Sequence, residues 1–317
     1  MAGKYKYLHT LRKCLFGNEG SISVVVALSL VILVGSVALV TDAGLLYINR
    51  ERMVNALDSA VLAGVKELPV NPAEALDTAY GYGVANGLSS EESSFEIGNE
   101  NCSVAGSASR EVGLFFARAL GINERSITVQ SKARIAPVSS VKGVVPFGVL
   151  ERDFTFGQQV TLKVGPDDNV YSGWYGVLSL GGTGSSNYEH NVKYGYNGEI
   201  SIGDIIAIES GNMSGPTRDG IEYRLQECRH IPHCTIDSFV DGCLRILIVP
   251  IINIEEINDG GHPSKVKVAG FGAFLVDSCS GNGAESIING SFVRYVISGK
   301  SDGSISDYGL YRAVLCE

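Results

Sequence analysis

The sequence has few charged residues and little positive charge with which to bind nucleic acid. Charged side chains make up 19% of its 317 residues, and the formal net charge is −9. Beyond the first thirteen residues, Lys and Arg form no basic stripe. Because phosphate contacts require clustered Lys and Arg, we expect no nucleic-acid partner.

The sequence motifs of the common enzyme classes are also missing. The chain contains no evident catalytic carboxylate pair, haem-attachment motif or dinucleotide-binding fingerprint. A G-x-S-x-G match at 299–303 would need a later histidine to complete a hydrolase triad, but the last histidine is His262. A glycine turn explains this match better. We therefore expect no catalytic residues and no cofactor, and we predict that the protein is not an enzyme.

What the sequence does contain is one long apolar run near its N-terminus. Only three serines and one glycine interrupt Ile22–Val40, and at helical rise the run matches a bilayer core of about 30 Å. Basic residues precede it, which favours a cytoplasmic N-terminus and an extracytoplasmic body on a single-pass anchor in the cell membrane. A cleaved secretory signal is the alternative, but the run is long for one and residues 41–44 make a poor cleavage site.

The helix is expected to continue beyond the membrane to about Leu68. Residues 45–68 repeat apolar side chains at helical spacing, and Pro69 and Pro72 would end the helix. This apolar stripe would pack either against the soluble body or against neighbouring subunits. Its members are Leu46, Met53, Leu57, Ala60, Val61 and Gly64.

The whole chain is predicted to be α+β, with the long transmembrane helix followed by a small α/β unit and a mainly β C-terminal domain. The small unit should hold a helix at Leu114–Leu120 and a strand near Ile135. The run Leu244–Ile252 predicts a buried strand, in which Pro250 indicates an interruption or an edge. The predicted boundaries are a basic cytosolic leader at 1–20, the transmembrane helix at 21–43, the extension and small unit at 44–140, and the β-rich extracytoplasmic domain at 141–317.

Glycine-rich stretches in the second half are expected to be loops between strands. They occupy residues 181–186 and 211–215. The first lacks the lysine of a phosphate-binding loop and is expected to be a flexible surface segment.

Three cysteines lie close together in the second half of the chain. Cys228 and Cys234 flank two histidines, and Cys243 follows nearby. Zinc favours four such ligands, but the spacing matches none of the usual zinc patterns, and we predict no metal site. One or two disulfides that involve Cys228, Cys234 or Cys243, or ordinary buried thiols, are the alternatives, and an oxidising compartment is compatible with disulfides.

Three stretches, taken in order, resemble the N-terminal region of TadE/TadG-like proteins of Flp (tight-adherence) pilus systems. The first is Asn18-Glu19-Gly20-Ser21 before the apolar run, the second is residues 42–47 (DAGLLY), and the third is residues 56–64 (ALDSAVLAG). The resemblance extends to about residue 148, and it implies a further short helix at residues 73–87.

This resemblance implies a membrane-held protein that assists or joins pilus assembly, with other pilus or secretion-system subunits as partners. It also implies that a prepilin peptidase would cut after Gly20 and leave Ser21 at the mature N-terminus. Pilin-type segments often carry Glu five residues into the mature helix, whereas Val25 stands here. We therefore expect a minor pseudopilin or an anchored assembly factor. The alternative is a cell-surface ligand-binding module on a signal anchor.

Overall fold

The computed structural model describes residues 18–151, 155–164, 175–209, 211, 213–236, 238–257, 263–281, 285–301 and 306–316. Most of the predicted cytosolic leader and part of the G-x-S-x-G match lie outside these residues. The described residues form a long apolar helix, a small helix and a mostly β C-terminal part. The predicted α+β fold class is confirmed.

Helix α1 (Asn18–Gly64) continues from the apolar run into its extension without a break, and a 3-10 turn, Val65–Glu67, follows it. Its most apolar stretch has a mean hydropathy of 2.8, and none of that stretch is buried in the chain. By length and composition the helix could therefore span a membrane. The prediction of one continuous helix is confirmed.

One face of the second half of α1 is buried, in contrast to the first half. Met53, Leu57, Ala60 and Val61 are at most 1% exposed. The chain itself therefore covers the apolar stripe. The alternative, in which neighbouring subunits cover it, does not hold for these four side chains.

Close helix packing follows directly after this stripe. A Cβ added at Gly64 would lie 2.5 Å from the carbonyl oxygen of Ala75, which is on helix α2 (Pro72–Ala85). Glycine therefore lets the two backbones approach closely. The short helix predicted at 73–87 is confirmed by α2.

The chain divides into two compact units. The first consists of the described part of Met1–Ser59 together with Tyr80–Ser94 and Gly106–Ser131, and the second of Ala60–Ala79, Phe95–Ala105 and the described part of Lys132–Glu317. One sheet has five strands, in the spatial order β1 (Ser93–Ile97), β2 (Ser103–Gly113), β3 (Glu124–Pro137), β14 (Leu310–Cys316) and β13 (Tyr295–Val296).

A seven-stranded sheet forms the centre of the second unit. Along its main path the strands are β6 (Gln159–Val164), β12 (Ser286–Val293), β11 (Pro263–Ser280), β10 (Ile246–Ile257), β5 (Phe147–Leu150) and β7 (Tyr175–Val177), while β9 (Ile205–Ala207) pairs with β11. The short strands β4 (Ser140–Val141) and β8 (Ile200–Ser201) form a separate pair. Alternate residues of β10 belong to two different apolar clusters, so both faces of this strand are buried. This explains its unbroken apolar sequence.

Strand β10 continues through Pro250 and lies between β11 and β5, so the predicted edge is wrong, but the ladder to β11 is interrupted by a register shift between Ile251 and Ile252. Pro250 pairs with Phe271 of β11 on one side of the strand. On the other side, Val145 and Glu151 donate to the carbonyl oxygens of Ile248 and Ile252. Because backbone groups alternate along a strand, the missing N–H of Pro250 faces β5, where pairing is short, and the pairing of Pro250 with β11 is kept.

Two helices cover one face of this sheet where loops were expected. They are α3 (Ser185–Tyr194) and α4 (Ser214–Gln226). A Cβ at Gly220 of α4 would lie 2.5 Å from a methyl carbon of Val192 of α3, so the helices approach closely. The side chain of Asn187 donates to the carbonyl oxygen of Gly182 at 2.8 Å. The stretch 181–186 is therefore an exposed loop, held by this hydrogen bond, that leads into the first residues of a helix, and its flexibility stays a prediction.

The helix predicted at Leu114–Leu120 is also wrong. Only Ala117–Leu120 is helical, as a 3-10 turn at the tip between β2 and β3. Leu114 donates its N–H to the carbonyl oxygen of Asn123 at 2.9 Å and closes this tip. The expected strand after it is confirmed by β3.

Candidate membrane anchor and metal centre

Asp42 lies two residues after the apolar run and is 7% exposed. Its carboxylate accepts hydrogen bonds from three successive backbone N–H groups, those of Phe115 at 2.9 Å, Phe116 at 3.0 Å and Ala117 at 2.7 Å. These N–H groups open the 3-10 turn and have no partner within it. Asp42 therefore caps the tip of the β2–β3 hairpin and attaches it to α1.

The hairpin tip, defined as residues 114–123, presents an exposed apolar surface. Phe115 is 69% exposed and Leu120 is 83% exposed, with Phe116 and Ile122 also exposed. Exposed aromatic and aliphatic side chains grouped in this way are typical of a surface that contacts a membrane or another protein. The tip is attached to α1 close to where the apolar run ends.

Two further contacts stabilise the first unit. Ser131 donates from its hydroxyl to Oδ1 of Asp58 on α1 at 2.5 Å. Arg110 donates to both carboxylate oxygens of Glu92, at 2.9 and 2.7 Å, and to the carbonyl oxygen of Gly87 at 2.7 Å. The Arg110 guanidinium lowers the pKa of Glu92 to about 2.

A cluster of three cysteines and one histidine lies in the second unit. The Sγ atoms of Cys228 and Cys243 are 3.6 Å apart. Nδ1 of His230 is 3.7 Å from Sγ of Cys228 and 3.3 Å from Sγ of Cys234. The four ligand atoms all lie within 4.8 Å of one another. In this structure the three cysteines are free thiols, and their side chains converge on one point.

The chain between α4 and β10 carries this cluster. The three cysteines are buried and belong to one of the two apolar clusters, whereas His230 is half-buried. Arg245 donates to the carbonyl oxygen of Cys234 at 2.7 Å and to that of Val276 at 2.9 Å. Arg245 thereby ties the cluster to strand β11.

Two backbone N–H groups complete the surroundings of the cluster. The N–H of Val240 donates to Sγ of Cys234 at 3.4 Å. The N–H of Gly242 donates to the hydroxyl of Tyr295 at 2.8 Å and fixes the turn that precedes Cys243. Hydrogen bonds of this kind orient sulfur ligands and stabilise their negative charge.

The protonation of the thiols differs across the cluster. Burial disfavours the thiolate of Cys228, but the backbone N–H of Cys234 and the imidazoles of His233 and His230 outweigh it and lower its pKa to about 5. Burial and the neighbouring thiols raise the pKa of Cys243 to about 12. The shifts are opposite because hydrogen-bond donors surround the sulfur of Cys228, whereas burial and other thiols surround that of Cys243.

The structure separates the predicted site residues into two groups. Cys228, Cys234 and Cys243 lie together with His230, which the disulfide prediction did not use, and the disulfides stay a prediction. Gly20 and Ser21, the predicted processing residues, lie in the first turns of α1. Sequence reasoning missed Asp42 as the cap of the hairpin tip.

The comparison with known protein families concerns the same helix. Residues 20–67 match the family model described as Tad, putative Flp pilus-assembly TadE/G-like. These residues are similar to TadE/G-like proteins. The TadE/G-like segment covers the membrane-capable helix, its buried extension and the turn after it, and it supports an involvement of the chain in Flp pilus assembly. No curated protein and no solved structure matches the chain.

Proposed function

We propose that this protein is a membrane-anchored structural or assembly component of an Flp-type pilus, with a minor pseudopilin or an anchored assembly factor as its two possible forms. One observation carries the proposal: the TadE/G-like match at 20–67 falls on a helix whose apolar half is unburied and whose second half is built into the protein core. Such a helix joins a membrane span to a folded body. The proposed role is structural rather than enzymatic.

The proposed topology is a single pass, with the N-terminus in the cytoplasm and the bulk of the chain outside it. Lys and Arg residues precede the apolar run, which favours a cytoplasmic N-terminus. In this topology the hairpin tip lies at the membrane–water interface on the extracytoplasmic side. The reason is that Asp42, which binds the tip, is only two residues after Val40, the last residue of the apolar run. Phe115 and Leu120 would then contact lipid, as interfacial apolar side chains commonly do.

The proposed partners are the membrane, other pilus or secretion-system subunits and a prepilin peptidase. Contacts with other subunits would use the exposed face of the apolar run rather than the stripe around Leu57, which is fully buried. Because Val25 offers no charge to neutralise the terminal amine of a neighbouring subunit, a minor role is favoured over that of a major pilin.

N-terminal sequencing of the protein from its native membrane tests the form that it takes. A mature start at Ser21 would identify a pseudopilin, and Gly20→Ala should then block processing while Gly17→Ala does not. A start at Met1 would indicate a permanently anchored assembly factor or a surface binding module. Deletion of the gene should abolish surface pili, and normal pilus counts in the deletion strain would contradict both forms.

A further inference from the structure

We propose that Cys228, His230, Cys234 and Cys243 bind one zinc ion. The ligand atoms would be the three sulfurs and Nδ1 of the imidazole. This inference is independent of the proposed role in pilus assembly, because it rests on side chains of the second unit.

The distances between the ligand atoms fit a tetrahedral zinc site. With Zn–S bonds of about 2.3 Å and Zn–N bonds of about 2.0–2.1 Å, tetrahedral angles place two sulfurs about 3.8 Å apart and a sulfur and a nitrogen about 3.6 Å apart. The observed Sγ–Sγ distance between Cys228 and Cys243 is 3.6 Å, and the Sγ–Nδ1 distances to His230 are 3.7 and 3.3 Å. Sulfurs joined in a disulfide would lie about 2.05 Å apart.

The donor set favours zinc in a structural role. Three cysteines and one histidine fill all four positions of a closed tetrahedral site and leave none for substrate. The burial of the three cysteines excludes water from most of the site. Thiolate ligands also disfavour magnesium and calcium, which prefer oxygen.

The surroundings compensate the charge of the proposed site. Three thiolates, a neutral imidazole and Zn²⁺ carry a net charge of −1. The side chain of Arg245 is 12% exposed and holds its positive charge beside the backbone of Cys234. The N–H of Val240 already points at Sγ of Cys234, as second-layer donors do around metal thiolates.

The structural consequence concerns the chain between Gln226 and Ile246. Its described residues contain no helix and no strand beyond a single bridge, between Thr235 and Ser238. Four ligands from this one segment would tie together a stretch that has few regular backbone hydrogen bonds. Zinc would thus fix how α4 connects to β10, and zinc binding would contribute to folding.

The test is metal analysis of the full chain, purified in detergent without chelator or reductant. We expect about one zinc per chain, as a single closed site requires. Cys228→Ser, Cys243→Ser and His230→Asn should each reduce bound zinc at least tenfold. The matched variants Cys279→Ser, Cys316→Ser and His190→Asn, which change residues outside the cluster, should keep it.

Co²⁺ binding to the wild-type chain tests the site without requiring that any variant folds. After removal of zinc under reducing conditions, Co²⁺ added to the wild-type chain should produce the sulfur charge-transfer and visible bands of a tetrahedral thiolate site, and Zn²⁺ should abolish them. A chain that takes up neither ion would overturn the proposal. So would peptide mapping that finds a disulfide between any two of the three cysteines in the protein as isolated.

Discussion

The carboxylate of Asp42 lies 3.0 Å from the backbone nitrogen of Phe116, a residue 74 positions further along the chain. This contact attaches the hairpin tip to α1 just beyond the apolar run. Because the partner groups are backbone N–H groups rather than a basic side chain, no pair of opposite charges in the sequence predicts this contact. The contact gives the carboxylate next to the apolar run a structural role.

Removal of this cap should loosen the hairpin tip. Asp42→Ala leaves the N–H groups of residues 115–117 without an acceptor, so we expect faster amide hydrogen exchange there and faster chymotrypsin cleavage after Phe115 or Phe116. Asp77→Ala, at an exposed carboxylate on α2, should change neither. Unchanged exchange at 115–117 in the Asp42 variant would contradict the role of Asp42.

The proposed contact between the hairpin tip and lipid predicts fluorescence quenching in proteoliposomes. The introduced indole of Phe115→Trp should be quenched by brominated phospholipid, after the signal of the native Trp174 is subtracted. Leu39→Trp, within the apolar run, serves as the positive control. Quenching should fall when Phe115→Trp is combined with Asp42→Ala. An unquenched indole at position 115, with clear quenching at position 39, would show that the tip does not touch lipid.

The buried stripe of α1 predicts a loss of stability rather than a loss of subunit contacts. Leu57 is 0% exposed, so Leu57→Ala should lower the free energy of unfolding by about 2–5 kcal/mol. Val84, which is 52% exposed on α2, provides the control, and Val84→Ala should change stability by about 0.5 kcal/mol or less. Denaturant unfolding in detergent measures both. A Leu57 variant of wild-type stability that fails to assemble would restore the interpretation of an intersubunit stripe.

The Glu92–Arg110 pair predicts a pH-dependent difference in stability. The folded-state pKa of Glu92 is lowered to about 2 from 4.5, so the pair contributes stability above about pH 4.5 and loses it as the pH falls towards 2. Glu92→Gln should therefore be less stable than wild type at neutral pH, by about 1 kcal/mol or less. The difference in stability between Glu92→Gln and wild type should disappear in acid, whereas Glu91→Gln should have the stability of wild type at every pH. A constant gap from pH 7 to pH 2 would contradict this account.

The sequence predicts the parts of the fold that local patterns determine. The apolar run and its helical extension are visible in hydropathy and period alone, and β10 is visible in its β-branched composition. Helices α3 and α4 were missed because both are polar and few of their side chains reach the core, and because α4 also contains Gly and Pro. Pro216 falls in the first turn of α4, where a missing N–H costs nothing.

For the candidate metal centre, the sequence predicts the types of ligand but not that they come together. Cys228 and His230 are too close in sequence for the familiar spacing rules, and Cys243 follows Cys234 only after a turn closed by Val240. The ligand types could be read from the sequence. Their convergence depends on Arg245 and on the buried setting between α4 and β10, which is tertiary information.

The unbroken course of α1 also has a mechanical consequence. Asn18–Gly64 has no proline and no change of helix type, so the helix contains no joint between its apolar half and the residues around Leu57. A force along the helix axis, for example one that extracts the apolar half from lipid, would therefore be transmitted to the packed side chains of the buried stripe. The helix would then transmit the force without bending, and the resistance of the core packing to shear would limit the force that the helix can bear.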